Sequence, residues 1–509
     1  MSRAGIEQQF RTNSGLIVAT RIVTAGLSLV MIPVLVSRLG VAGYGTWEAL
    51  LALASLSSVF QLAISGTLVW RVSDAFGQGD RAEIRRVARV GAAGCLALFV
   101  LLAPLAWLLR EPAVVFLKVP PESRAVASLM FPALAALILL GGLSETLEAI
   151  VSGCQRTGLV NVVGGAAQIL NYTVVIVVAM LGGGLWSLLA GQGIGFVARM
   201  AGAWIAVRAS FGPVTLMPLL PQRSDLSLFK YSGWLTVSGV ASALRDQTDK
   251  IVLSSLASPE WVGYYGMAAR LAGLVLEVLR PLYSPMITAA GALRAMNDWD
   301  GVRSLFSRGM FLVSILTGTA AVLVAGLVDR LVILWIGEAI PQVRTLLWLL
   351  ITGTATAAIL TGPGTAISRG CGLAGIEATY LTVNLVLNLV FTVVLVLLIG
   401  PVGTAAATGL TWALSSILFL FVLHRKMDLP VDASRQAAGA ALLAGATASV
   451  VYVTSSWLGL PAGRPEALVS LMLFATASAL IYFALLASFR LISVRRVYGG
   501  VRSLLGGAR

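Results

Sequence analysis

Apolar segments of roughly 20 to 30 residues follow one another from Gly15 to Phe489 with only short polar turns between them, and this succession constrains the chain more than any motif. A helix crosses the roughly 30 Å hydrocarbon core of a bilayer in about 20 residues. Backbone inside lipid must satisfy its own hydrogen bonds, and helices do so within one segment. The fold class that follows is all-α, a polytopic membrane protein of about 14 transmembrane helices. The segments begin near Gly15, Gly45, Ala88, Arg124, Val160, Gly184, Asp225, Val262, Leu305, Val343, Ile376, Gly403, Ala433 and Pro465. A chain that is 58% hydrophobic and 11% charged is too apolar for a soluble multidomain protein. The opening MSRAGIEQQFRTNSGL has no small-residue cleavage site, so the first span is read as retained rather than as a signal peptide.

The net charge of +14 is read as topology. With alternate loops on opposite sides, most of the 36 Lys and Arg fall on the side of the N-terminus, which puts both termini in the cytoplasm. Basic stretches at 71–89, 424–435 and 490–509 are suited to anionic membrane lipids. No basic patch interleaved with aromatics points to nucleic acid. The three cysteines, Cys95, Cys154 and Cys371, are far apart in or beside apolar segments and are read as packing residues. No metal or cofactor is expected. The short connections leave no room for a catalytic site outside the bilayer, so the chain is not read as an enzyme.

An internal repeat organises the spans. The stretch Leu39 to Gly45 opens the second span and Ser258 to Gly266 the eighth, with Tyr44 matching Tyr264. The same offset aligns Gly79-Asp80 with Trp299-Asp300. A slightly shorter one aligns Cys154 and Gly158 with Cys371 and Gly375, and Ile169-Leu170-Asn171 with Val386-Leu387-Asn388. The expected organisation is a six-helix bundle over 1–210, a cytoplasmic linker at 211–224, and a second bundle over 225–427. An extra helix pair over 428–490 and a basic tail at 491–509 follow. Copies with an even number of spans run the same way through the membrane, and a site between them opened alternately to each side is the natural mechanism.

Charged residues inside the spans are the functional candidates, because a charge at mid-bilayer must face protein or a wet cavity. The seventh span carries Arg245, Asp246, Asp249 and Lys250, whose i, i+4 spacing suits two ion pairs, Arg245 with Asp249 and Asp246 with Lys250. These groups either neutralise one another or line a cavity. In the eighth span Arg270 and Arg280 return to nearly one helix face, with Glu277 one turn from Arg280. Arg21, deep in the first span, is read as cavity-lining or as snorkelling to the headgroups. Arg199 is read as snorkelling and Glu48 as interfacial. Glu145 and Glu148 form a like-charge i, i+3 pair, suited either to proton coupling, together with Asp246 and Glu277, or to pairing with Arg156 or solvent.

Arg38-Leu39-Gly40, Gly43-Tyr44-Gly45-Thr46-Trp47, Asp249-Lys250-Ile251-Val252-Leu253, Val262-Gly263-Tyr264-Tyr265 and Ala269-Arg270-Leu271 occur in order and together resemble a family. It is the polysaccharide transporters of the multidrug, oligosaccharidyl-lipid and polysaccharide exporter superfamily, and the likeness spans about residues 10–425. The resemblance implies a Wzx-type flippase in a bacterial cytoplasmic membrane. Its substrate would be an undecaprenyl-pyrophosphate-linked oligosaccharide destined for O-antigen lipopolysaccharide or exopolysaccharide, with polysaccharide polymerase machinery as a partner. It also implies that Arg270, Arg21, Arg245 and Lys250 contact the pyrophosphate. Many such O-antigen flippases stop at twelve spans, whereas this chain, like lipid II flippases, adds two, which we read as a groove for the polyprenyl tail. The alternatives are an ion-coupled multidrug exporter of the same superfamily, for which Asp246, Asp249 and Glu277 would supply acidic groups, and a membrane glycan polymerase or ligase.

Overall fold

The computed structural model describes residues 3–154, 156–219 and 233–489. Among the described residues every regular element is a helix. In order they are α1 (Arg3–Ser55), α2 (Val59–Gln78), α3 (Arg81–Leu108), α4 (Arg110–Phe116), α5 (Pro121–Gly153), α6 (Thr157–Met180), α7 (Trp186–Ser210) and α8 (Gly233–Leu256). There follow α9 (Pro259–Ala295), α10 (Trp299–Gly326), α11 (Val328–Ile336), α12 (Pro341–Gly370), α13 (Ala374–Ile399), α14 (Val402–Met427), α15 (Val431–Trp457) and α16 (Arg464–Ser488).

The helix called α1 is two limbs, because Gly40 breaks it at φ 69° and ψ 169°. Glycine takes a positive φ at no steric cost, which lets the chain turn there without a loop. The second limb runs into a 3₁₀ turn at Leu56–Ser58 and on through α2. Among the described residues eleven helical stretches are long and apolar enough to cross a membrane, with Val23–Ser58 counted as one. The long segments outside that set are α2, α8 and α9, the last two carrying the charged runs. Divided at Gly40, and with its second limb joined to α2, the long helices cover the anticipated spans; the anticipated start of the seventh, near Asp225, lies outside the described residues. The short helices α4 and α11 were not anticipated.

Internal contacts divide the chain into two compact units, Met1–Gly266 and Met267–Arg509. In the first, α2, α3, α5 and α7 share a core of Leu68, Val72, Ile84, Val87, Leu147 and Val207. Between helices in lipid such a core gains close packing rather than transfer from water. Helix α8 packs on α1 and α2. Its last turn is tied to the connection between α4 and α5: the Ser254 hydroxyl donates to the Leu117 carbonyl at 2.6 Å, and Lys118 donates to the Leu256 carbonyl at 3.0 Å.

In the second unit α10, α12 and α14 pack together, and α15 lies along α10. The fully buried Tyr482 of α16 sits against Gly318 and donates to the Ala440 carbonyl. Arg330 of α11, 3% exposed, donates to the carbonyls of Ser455 and Gly459 at the end of α15 and lies over the Phe474 ring of α16. A buried guanidinium thus satisfies carbonyls that the end of a helix leaves without partners.

The repeat is visible in local geometry. Gly79 and Asn297 both take left-handed backbone, at φ 73° and 56°. The Asp80 and Asp298 carboxylates that follow cap α3 and α10, each accepting from the amide three residues on. The counterpart of Asp80 is therefore Asp298, not Asp300 as the sequence alignment had it; Asp300 bonds Arg303 instead. Cys154 and Cys371 end α5 and α12 with nearly equal torsions. All three cysteines are free, buried packing residues, and burial raises the Cys154 and Cys371 thiols above their ordinary range.

Candidate functional site

The two copies of the repeated motif meet within the first unit. Gly45, in the second limb of α1, lies so close to the first turn of α9 that a Cβ on it would overlap the Pro259 carbonyl oxygen. A Cβ on Gly263 would lie 2.6 Å from the Val41 carbonyl oxygen. Glycines at such a crossing let two backbones approach, as small residues do where membrane helices pack. The Tyr44 hydroxyl lies over Gly266 and donates to Glu48 at 3.0 Å. The Tyr264 hydroxyl donates to Glu260 at 2.8 Å.

Around this crossing the charged run of α8 finds its partners. Lys250 donates to Glu48 at 2.6 Å, with side chains 21% and 16% exposed. Tyr265 donates to the buried Asp249 at 2.5 Å. Arg245 bonds the adjacent Asp246, whose side chain is 57% exposed. Lys250 is thus bonded to Glu48 rather than to Asp246, the partner anticipated one turn away on α8. This bond also corrects the reading of Glu48, which is a shielded partner of Lys250 rather than an interfacial group. The reason is that α8 packs on α1 and α2, so Lys250 is answered from a neighbouring helix, whereas Arg245 bonds along its own. The cluster of Glu48, Asp246, Asp249, Arg245 and Lys250 carries three acidic and two basic groups. It carries one more negative than positive charge and is not by itself an anion site.

A second pair between helices was also missed, with the Arg199 side chain 37% and Glu148 11% exposed. Arg199 of α7 grips Glu148 of α5 with two bonds of 2.7 Å, so Arg199 is not snorkelling. The fork of a guanidinium on a carboxylate is the strongest form of such a bond. Glu145 is half-buried one turn away, and Arg156 donates to the Ala209 carbonyl rather than to either glutamate. In the second unit Arg369 forks onto Glu377, and Arg344 reaches the buried Asp329 at 3.4 Å. Sequence offered no signal for these pairs, because their members belong to different helices. Arg270 is half-buried on α9. The side chains of Arg21, Glu277 and Arg280 lie outside the described residues, as do the tail from 490 and the part of the anticipated linker at 220–224.

The fold is similar to that of two solved membrane transporters. It matches the lipid II flippase MurJ in an inward closed conformation with a TM-score of 0.71 at 14% identity, covering 94% of this chain and 100% of that one. It matches the inward-facing conformation of a multidrug resistance MATE family transporter with a TM-score of 0.66 at 13% identity, over 79% and 94%. The chain is thus an all-helical, multi-pass membrane protein. Residues 10–290 match the family described as polysaccharide biosynthesis proteins, and the chain belongs to that family. It is similar to the probable low-salt glycan biosynthesis flippase Agl15 of Haloferax volcanii, 23% identical over 212 residues. That match spans 41% of this chain and 44% of the relative, less than half the relative's length.

Proposed function

We propose that this protein is a flippase for a lipid-linked oligosaccharide, working by alternating access and catalysing no covalent step. Membership of the polysaccharide biosynthesis family is the observation that carries the reading. The flippase name of the Haloferax volcanii relative and the end-to-end likeness of fold to MurJ support it. On this reading the substrate is an undecaprenyl-pyrophosphate-linked repeat unit, moved from the cytoplasmic to the outer leaflet of a bacterial inner membrane with both termini inside. Arg270 is the leading contact for the pyrophosphate, with Arg21, Arg245 and Arg280 as further cavity cations. Lys250 is held by Glu48 and takes a lesser part. Glu145, with Asp246 and Glu277, is the candidate for ion coupling, since Glu148 is engaged by Arg199.

A second reading, export of cationic drugs, is favoured by the MATE likeness and by the acidic excess of the α8 cluster. Ligand-induced thermal stabilisation of the purified protein separates the two, because a ligand that binds only the native state raises its stability by RT ln(1 + [L]/Kd). Stabilisation by an undecaprenyl-pyrophosphate glycan that disappears in Arg270→Ala is the expected result. Stabilisation by a cationic dye alone would replace the flippase reading with the exporter.

A further inference from the structure

The first unit carries a lateral crevice that the transport reading does not use. It has a volume of about 480 Å³ and is lined by Leu53, Leu102, Leu105, Leu109, Phe116 and Phe131, among other apolar groups. Its origin is local. The 3₁₀ turn at Leu56–Ser58 interrupts the path from α1 into α2, and α3 ends at Leu108 so that α4 folds away from it. Leu105, Leu109 and Phe116 are each about half exposed, so the crevice opens on the outside of the molecule. On the flank of a membrane protein such a space is filled by hydrocarbon, because water gains no polar partners there.

One end of the crevice is basic. Arg110 stands between the lining residues Leu109 and Pro112, with its guanidinium 4.2 Å from the Trp107 ring centroid. Trp at this position, followed by charged groups, marks the headgroup level of a bilayer. Lys118, in the next connection, and Arg124, in the first turn of α5, bond to backbone carbonyls, which leaves their charges in place. Glu111 approaches Arg110 at 3.9 Å, and the stretch 110–124 carries three basic and two acidic side chains.

We propose that the crevice is a binding site for one anionic phospholipid, an acyl chain lying along Leu102, Leu105 and Phe131 and the phosphate held at Arg110. The proposal is independent of what the protein transports. The test is native mass spectrometry of the full chain, reconstituted with equal amounts of phosphatidylglycerol and phosphatidylcholine of matched chain length. Wild type is expected to retain one phosphatidylglycerol. Ala113→Phe, which fills the crevice from α4, should lower its occupancy about tenfold. Arg110→Gln, which removes the charge over Trp107 and leaves the lining of the crevice unchanged, should abolish the preference for phosphatidylglycerol while the crevice still takes phosphatidylcholine. No retained lipid in wild type, or unchanged retention in both variants, would overturn the proposal. So would displacement of the phospholipid by a polyprenyl phosphate at equal concentration, which would give the crevice to a transported lipid.

Discussion

Lys250→Met removes the cation that lies 2.6 Å from the Glu48 carboxylate and leaves that carboxylate shielded beside Tyr44. Taking one partner from a buried pair costs about 3–5 kcal/mol, while replacing both by neutral groups of similar size often costs little. Because the two side chains keep 21% and 16% of their exposure, the cost falls at or below the lower end of that range. We expect about 2–3 kcal/mol for Lys250→Met, a similar loss for Glu48→Gln, and about 2 kcal/mol for the double variant. The cycle then closes with a coupling of about 2–4 kcal/mol, as for residues in direct contact. The assay is unfolding of the purified protein in mixed micelles, followed by tryptophan fluorescence. Losses that add within about 0.5 kcal/mol would mean that the two groups do not act on each other, and would refute the reasoning.

Glu148→Gln should destabilise by about 2 kcal/mol through the loss of the charged fork to Arg199, whose side chain is 37% exposed, and the double variant with Arg199→Met should recover much of that in the same unfolding assay. Arg330→Met removes the donor that binds the Ser455 and Gly459 carbonyls; a loss of about 2–3 kcal/mol is expected, with faster tryptic cleavage at Arg464 as the α15–α16 hairpin loosens. Gly45→Ala forces a Cβ into the Pro259 carbonyl and should cost about 3 kcal/mol, whereas Gly26→Ala, with open space around it, should be neutral or gain about 0.5 kcal/mol. A thermal melt of the two glycine variants side by side checks both.

Apolar length made the long helices legible, since about 20 apolar residues have few other uses. The short helices α4 and α11 have 7 and 9 residues and lie in what reads as loop, so no such signal marked them. The repeat was legible as motifs, but alignment by residue identity slipped by two at Asp298. The conserved quantity there is the left-handed backbone, which Gly79 meets as glycine and Asn297 as asparagine. Pairing was the least legible. The i, i+4 rule sees one helix, whereas Lys250 reaches Glu48 across 202 positions and Arg199 reaches Glu148 across 51. Which charges in a span are spent on each other is decided by packing between helices.

That division of charges bears on ligand binding, and it yields a last prediction that rests on the flippase reading. A pyrophosphate drawn to Lys250 would have to compete with a carboxylate already bonded at 2.6 Å, and would leave that carboxylate shielded and without its cation. The cost is the same few kcal/mol that breaking the pair by mutation entails. Lys250→Met should therefore lower the melting temperature of the free protein yet keep the increment produced by an undecaprenyl-pyrophosphate glycan, because the lost interaction is absent from the binding equilibrium. Arg270→Ala should abolish the increment. If Lys250→Met abolished the increment as well, the lysine would have to leave Glu48 on binding. The pair would then be a switch opened by substrate rather than a fixed part of the scaffold.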